Sequence, residues 1–181
     1  MTSRSDAQSV GEQYLRLDAG TQALVACDSL QPSLSLLPPS AYSNLLVVSP
    51  KSPRAVERTI RESGGDVANV GHLPLASTAH GYDGPMWTAK AIDPSDLTGL
   101  SMQYSRAIEA LAADHGWVLF DEFNALLLYC DSDRVVRFLN HTARQTREAS
   151  LRGVYTVVRD AMDDTTFASL RNVVDTDVDA R

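Results

Sequence analysis

The sequence predicts an α/β fold, a three-layer αβα sandwich around a mainly parallel sheet of about five or more strands. Three observations lead there. Short apolar runs at 45–48, 117–120 and 154–158 have the length and composition of strands buried on both faces. Between them lie segments whose apolar residues recur three and four positions apart, as on one face of a helix. Gly, Pro, Asp and Ser punctuate the changes from one pattern to the other, and strands alternating with helices imply parallel crossovers.

Taken in order, residues 1–20 are polar, with a weakly amphipathic stretch through Val10, Tyr14 and Leu15 that reads as a loosely docked helix. Residues 21–43 combine the apolar piece Ala23-Leu24-Val25-Ala26-Cys27 with a Ser/Pro-rich connector ending at Pro38-Pro39-Ser40. Leu30, Leu34, Leu36 and Leu37 predict that this connector packs on the body of the protein. The division expected is therefore an N-terminal helical or irregular segment over 1–43 and an α/β domain over 44–181. The first strand of that domain is 45–48. Ser52 then caps a helix with Pro53 as its first residue, running through Val56, Ile60 and Ser63 and stopped by Gly64-Gly65.

A second, weaker strand spans 67–75, and 76–95 reads as a long irregular excursion with Gly81, Gly84, Pro85 and Pro94. Asp96 opens a helix with Leu100, Tyr104, Ile108 and Leu111 on one face, closed at His115-Gly116. Trp117 to Asp121 is the third strand, 124–129 a short apolar helix, and Asp131-Ser132-Asp133 the start of a longer one carrying Val135, Val136, Phe138 and Leu139. Residues 154–158 form the fourth strand. A helix over 163–171 precedes a terminal strand through Val173, Val174 and Val178.

Composition narrows the setting. With 181 residues, 44% hydrophobic and 22% charged, the chain fits one globular domain with a full core. No apolar run approaches the ~18 residues of a membrane span, and Met1-Thr2-Ser3-Arg4-Ser5-Asp6 has no signal-peptide character, so a cytoplasmic protein is expected. Cys27 and Cys130 stand far apart with no metal-binding spacing and read as buried free thiols. The choice of charged residues says more than the net charge of -7: Asp outnumbers Glu 17 to 6, and Arg outnumbers Lys 14 to 2. Compact carboxylates with few lysine stems suit a cytosol in which salt screens like charges within about 3 Å at 1 M. The reading is a halophilic, archaeal protein. The same acidity argues against direct nucleic-acid binding, which draws its affinity from Lys and Arg.

Two motifs bear on chemistry. The strand, turn and helix start from Asn44 to Val56 has the frame of a phosphate-binding P-loop, G-x-x-x-x-G-K-[ST]. Its glycines fall on Ser49 and Arg54, its lysine on Ala55 and its hydroxyl on Val56. The frame is present without its reagents. The run Trp117-Val118-Leu119-Phe120-Asp121-Glu122 has the Walker B pattern, four apolar residues and then the acids that in nucleotide hydrolases hold a metal's water shell and polarise an attacking water. Lys51, one of the two lysines, lies just before a helix start, where an anion is favoured, but Pro50 and Pro53 remove two of the amides such a site would use.

The stretches Asn44 to Pro50, Asp96 to Leu100, Phe120 to Tyr129, Asp133 to Leu139 and Asp163 to Leu170 together resemble the RecA/KaiC-like ATPase core, in a divergent haloarchaeal form with a degraded Walker A motif. The resemblance covers about three quarters of the chain and implies strand order 5-1-4-3-2, with 45–48 as the first strand and near the centre. Two functions follow from it. One is a non-catalytic regulatory or signalling domain, without cofactor, that acts on a protein partner or by self-association. The other is a nucleotide sensor or slow ATPase binding ATP/Mg²⁺ at a rebuilt site of Ser49, Lys51, Ser52, Asp121 and Glu122.

Other constellations point to bland roles. His72, His80, His115 and His141 lack metal-ligand spacing, and no G-x-S-x-G marks a nucleophile, so no catalytic or metal residues are assigned. Asp175, Asp177 and Asp179 read as a solvated edge. Arg144, Arg147 and Arg152 read as a salt-bridged face, with a protein interface as the functional alternative.

Overall fold

The computed structural model describes residues 14–79 and 81–181; the expected helix through Val10 and the residue His80 lie outside them. The α/β class is as expected. Seven parallel strands form one sheet in the order β4-β3-β2-β5-β6-β1-β7. They are β1 (Gln22–Cys27), β2 (Leu45–Ser49), β3 (Val70–Pro74), β4 (Trp87–Thr88), β5 (Trp117–Phe120), β6 (Arg152–Val158) and β7 (Thr176–Asp179). The helices are α1 (Pro53–Glu62), α2 (Leu97–Ile108), α3 (Ser132–Glu148) and α4 (Asp164–Arg171), with 3-10 turns at Ser33–Leu36, Pro39–Ser43, Phe123–Leu128 and Arg159–Ala161.

The period-two alternation of a strand splits its apolar residues between two cores. Leu24, Leu46, Val48, Val118, Phe120 and Tyr155 face α2, α3 and α4, whose contributions include Leu100, Tyr104, Leu139 and Leu170. Ala23, Val25, Leu45, Val47, Leu119 and Val154 face the other way, onto Val56 and Ile60 of α1 and onto Leu34, Leu37, Ala41 and Tyr42 of the turns. Aromatic packing concentrates on the first side, where Phe120 meets Phe123, Phe138 and Tyr155 with ring centroids 5.0, 6.0 and 6.2 Å away.

The expected caps hold the helices. Ser52 accepts from the Ala55 amide at 3.2 Å with Pro53 as the first helical residue, and Asp96 accepts from the Gly99 amide at 2.9 Å. Gly64 ends the first helix at φ +83°, a left-handed conformation that glycine adopts without steric cost.

Several expectations need correction. The apolar piece at 23–27 is not part of a segment packed on the core; it is β1, paired with β6 and β7 and buried along its length. The sheet therefore begins before residue 44. The strand at 45–49 does not take the first place in the implied order, which would set it between the terminal strand and the strand at 154–158. β1 holds that place, and β2 lies instead directly beside β5, with β3 and β4 continuing outward. Tyr14 and Leu15 are in irregular chain, with the Leu15 amide bonded to the Leu36 carbonyl. The helix expected to run to His115-Gly116 ends at Ile108, because the Asn44 side chain captures the Ala112 amide at 2.7 Å and draws the chain into turns. The excursion over 76–95 contains β4 and a bridge from Leu75 to Ile92. Val173 and Val174 pack on the core ahead of β7 rather than in it.

Because β1 is a core strand, Leu24→Ala is expected to cost about 2–5 kcal/mol, the range for a fully buried leucine. A fragment of residues 44–181 is expected to show no cooperative unfolding. Urea denaturation followed by circular dichroism measures both, and a cooperative transition in the fragment would restore the boundary at 44.

Candidate functional site

Parallel sheets present the loops that follow their strands at one edge, the usual place for ligands in open α/β proteins. Here that edge holds a compact polar cluster. The last registered pairs, Val48 with Phe120 and Phe120 with Tyr155, place Ser49, Asp121 and Thr156 in one row a residue further on. All three side chains face α1 and the Ser33–Leu36 turn, and all are buried, at 0%, 4% and 1% exposure. A buried carboxylate requires compensation. The chain supplies it from three other segments.

Asp121 Oδ1 accepts from Ser33 Oγ at 2.7 Å and, at 3.4 Å, from Thr156 Oγ1. Asp121 Oδ2 accepts from Ser49 Oγ at 3.0 Å and from the Lys51 ammonium at 2.8 Å. Ser49 Oγ in turn accepts from the Lys51 amide, which fixes the turn that carries the lysine. Lys51 Nζ also lies 3.2 Å from Glu122 Oε2. The Glu122 amide donates to Thr156 Oγ1 at 2.9 Å, and Glu122 itself sits at φ +52°, a left-handed conformation that is uncommon for a non-glycine residue. Burial works against the Lys51 charge, but the hydrogen bond and charge of Asp121, joined by Glu122, outweigh it and raise its pKa above the ordinary 10.5. Burial, together with Asp121, pushes the Cys27 thiol up to about 11 and makes it a poor nucleophile at neutral pH.

Four of the five sequence-assigned residues thus come together: Ser49, Lys51, Asp121 and Glu122. Ser52 does not join them; its hydroxyl is used in capping α1. Ser33 and Thr156 were missed. Thr156 was legible as the one polar position in an apolar run, whereas Ser33 is 88 residues from its partner and carried no local signal. Beside the cluster a cleft of about 340 Å³ opens between Lys51, Glu122, Leu75, Pro94 and Tyr129.

The arrangement bears on Mg·ATP directly. All the acceptor directions of Asp121 are engaged within the protein, and Glu122 is turned onto Lys51. Two carboxylates against one ammonium leave the cluster formally anionic, which repels phosphate. The turn after β1, Asp28-Ser29-Leu30-Gln31-Pro32, has neither the glycines nor the lysine of a phosphate cradle. The residues present do not fit the cofactor. Among the described residues no group of three or more His, Cys, Asp or Glu is placed to hold a metal ion, and no helix is long and apolar enough to cross a membrane.

Fold and site together define a parallel α/β sandwich whose strand-end site is closed by its own side chains. The chain belongs to the family of unknown function DUF7504, whose model matches residues 20–180. That span begins just before β1 and takes in the whole sheet. No curated protein matches the chain significantly.

Replacing Lys51 by Met leaves the buried Asp121 without its cation. The hydroxyls remain and the Lys51 side chain is 42% exposed, so the expected loss is about 1–3 kcal/mol, between an exposed and a buried pair. The pH dependence has a definite sign. A lysine whose pKa is raised by folding contributes stability that is complete below its ordinary value of 10.5 and is lost as pH rises through the folded value. The melting-temperature gap between wild type and Lys51→Met is therefore expected to be constant from pH 7 to 9 and to close above 10.5. A gap independent of pH to the alkaline limit would refute the pairing.

Proposed function

We propose that this chain is a non-catalytic RecA/KaiC-like regulatory or signalling domain that acts by binding another protein. The observation that carries the reading is the internal neutralisation of Asp121. In a nucleotide hydrolase the acid at this strand end must be open to a hydrated metal; here Lys51 and three hydroxyls occupy it. The strand order supports the ancestry. Numbering β1, β2, β5, β6 and β7 from one to five along the chain, the series β7-β1-β6-β5-β2 reads 5-1-4-3-2. On that alignment the lost phosphate loop is residues 28–32, not 49–54. Leu30 and Leu128, 93% and 81% exposed, project from loops after β1 and β5 at this same edge, and such side chains favour contact with protein over contact with a soluble anion.

A nucleotide sensor is the second reading, favoured by the 340 Å³ cleft beside Lys51 and Glu122. Differential scanning fluorimetry with Mg·ATP, in the high KCl suited to an Asp-rich surface, separates the two. A nucleotide at 100 times its dissociation constant stabilises by about 2.7 kcal/mol, roughly 5–10 °C for a chain of this size. The expected result is no shift. A dose-dependent shift abolished by Lys51→Met would move the assignment to the sensor.

A further inference from the structure

On the opposite face of the sheet, near the starts of the strands, the register sets Leu46 of β2, Gly71 of β3 and Trp87 of β4 side by side. Gly71 contributes no side chain, and the Trp87 ring lies over it. A Cβ built there would lie 3.0 Å from the Trp87 ring and 3.6 Å from Leu46, so the ring takes the space a side chain would need and is held beside Leu46. α2 borders the same face, and Ala107 lines a cavity left between the helix and these strands. The result is a slot of about 490 Å³, inside the ~300–1,000 Å³ range of small-molecule sites.

The chemistry of the walls is selective. The lining is mostly apolar, with Asn44 and Asn69 among it, and Trp87 offers an indole ring that is 57% exposed. Arg106 is the one charged side chain lining the slot, and among the described residues it has no hydrogen bond or ion pair. Gln103, one helical turn away, adds an amide. A mostly apolar slot whose one charged lining group is an uncommitted guanidinium matches a ligand with one apolar body and one acid group.

We propose that this slot binds a small amphipathic carboxylate, its flat apolar body between the Trp87 ring and Ala107 and its acid group on Arg106. The site is independent of the Asp121 cluster, so it stands whether or not that cluster takes a nucleotide.

The test is a titration of the full chain with 2-naphthoate, followed by amide and indole N–H chemical shifts, at the lowest salt that keeps the chain folded. Saturable shifts are expected at Gly71 and the Trp87 indole. Arg106→Gln should weaken them by about fivefold, the size of an exposed ion pair, while leaving binding of neutral 2-naphthylmethanol unchanged. Ala107→Leu, which fills the slot from the helix side, should remove them. If that variant does not fold, the exposed Arg106→Gln carries the test alone. Absence of saturable shifts in the millimolar range overturns the proposal. So do shifts centred on Lys51, or equal affinity for naphthoate in Arg106→Gln.

Discussion

The carboxylate of Asp121 is the constraint around which one edge of this protein is arranged. It is 4% exposed at the end of a central strand, where an uncompensated charge would cost several kcal/mol. Its partners come from the turn after β1, the end of β2 and the body of β6, so satisfying it ties together segments that are 88, 72, 70 and 35 residues away in the sequence. Each partner is set by local geometry. Sheet register delivers Ser49 and Thr156, the Ser33–Leu36 turn delivers Ser33, and the hydrogen bond from the Lys51 amide to Ser49 aims the lysine.

The same bonds that stabilise the edge compete with any metal ion or phosphate for its polar groups. A carboxylate has about four acceptor directions, and once all are taken by the protein a metal ion must displace one of them. The lysine is likewise committed, since moving it toward an incoming anion would leave Asp121 buried beside nothing but hydroxyls. On the proposed reading, silence at this site is therefore not merely a matter of missing glycines. It is held by the cost of breaking a satisfied network.

How much of this was legible depended on whether a signal was local. The helix starts were written in Ser52-Pro53 and Asp96-Leu97, and the buried strands in unbroken apolar runs such as Val118 to Phe120. β1 was missed because its two alanines weaken the strand signal and because the Ser/Pro-rich stretch after it reads as connector. That single omission put 45–48 where β1 stands, three places along the sheet from the position β2 takes beside β5. The acidic pair at 121–122 and the lysine at 51 were visible as residues, but their bond was not, since nothing in a linear pattern sets two strand ends side by side. Ser33 was out of reach for the same reason.

The slot beside Trp87 shows the complementary case, in which the sequence holds the cause without its meaning. A glycine inside a strand weakens it and marks either a bulge or a close approach. Gly71 keeps regular pairing on both sides, with Leu46 and with Trp87, so no bulge explains it. What its missing side chain makes room for is the Trp87 ring, and a tryptophan that were there only to pack would lie buried against that space. Instead more than half of it remains exposed, beside a cavity whose lining is mostly apolar. The two ends of the sheet thus differ in kind. The C-terminal edge has closed on itself through charge, and the slot near the strand starts has mostly apolar surface and one guanidinium that, among the described residues, has no hydrogen bond or ion pair.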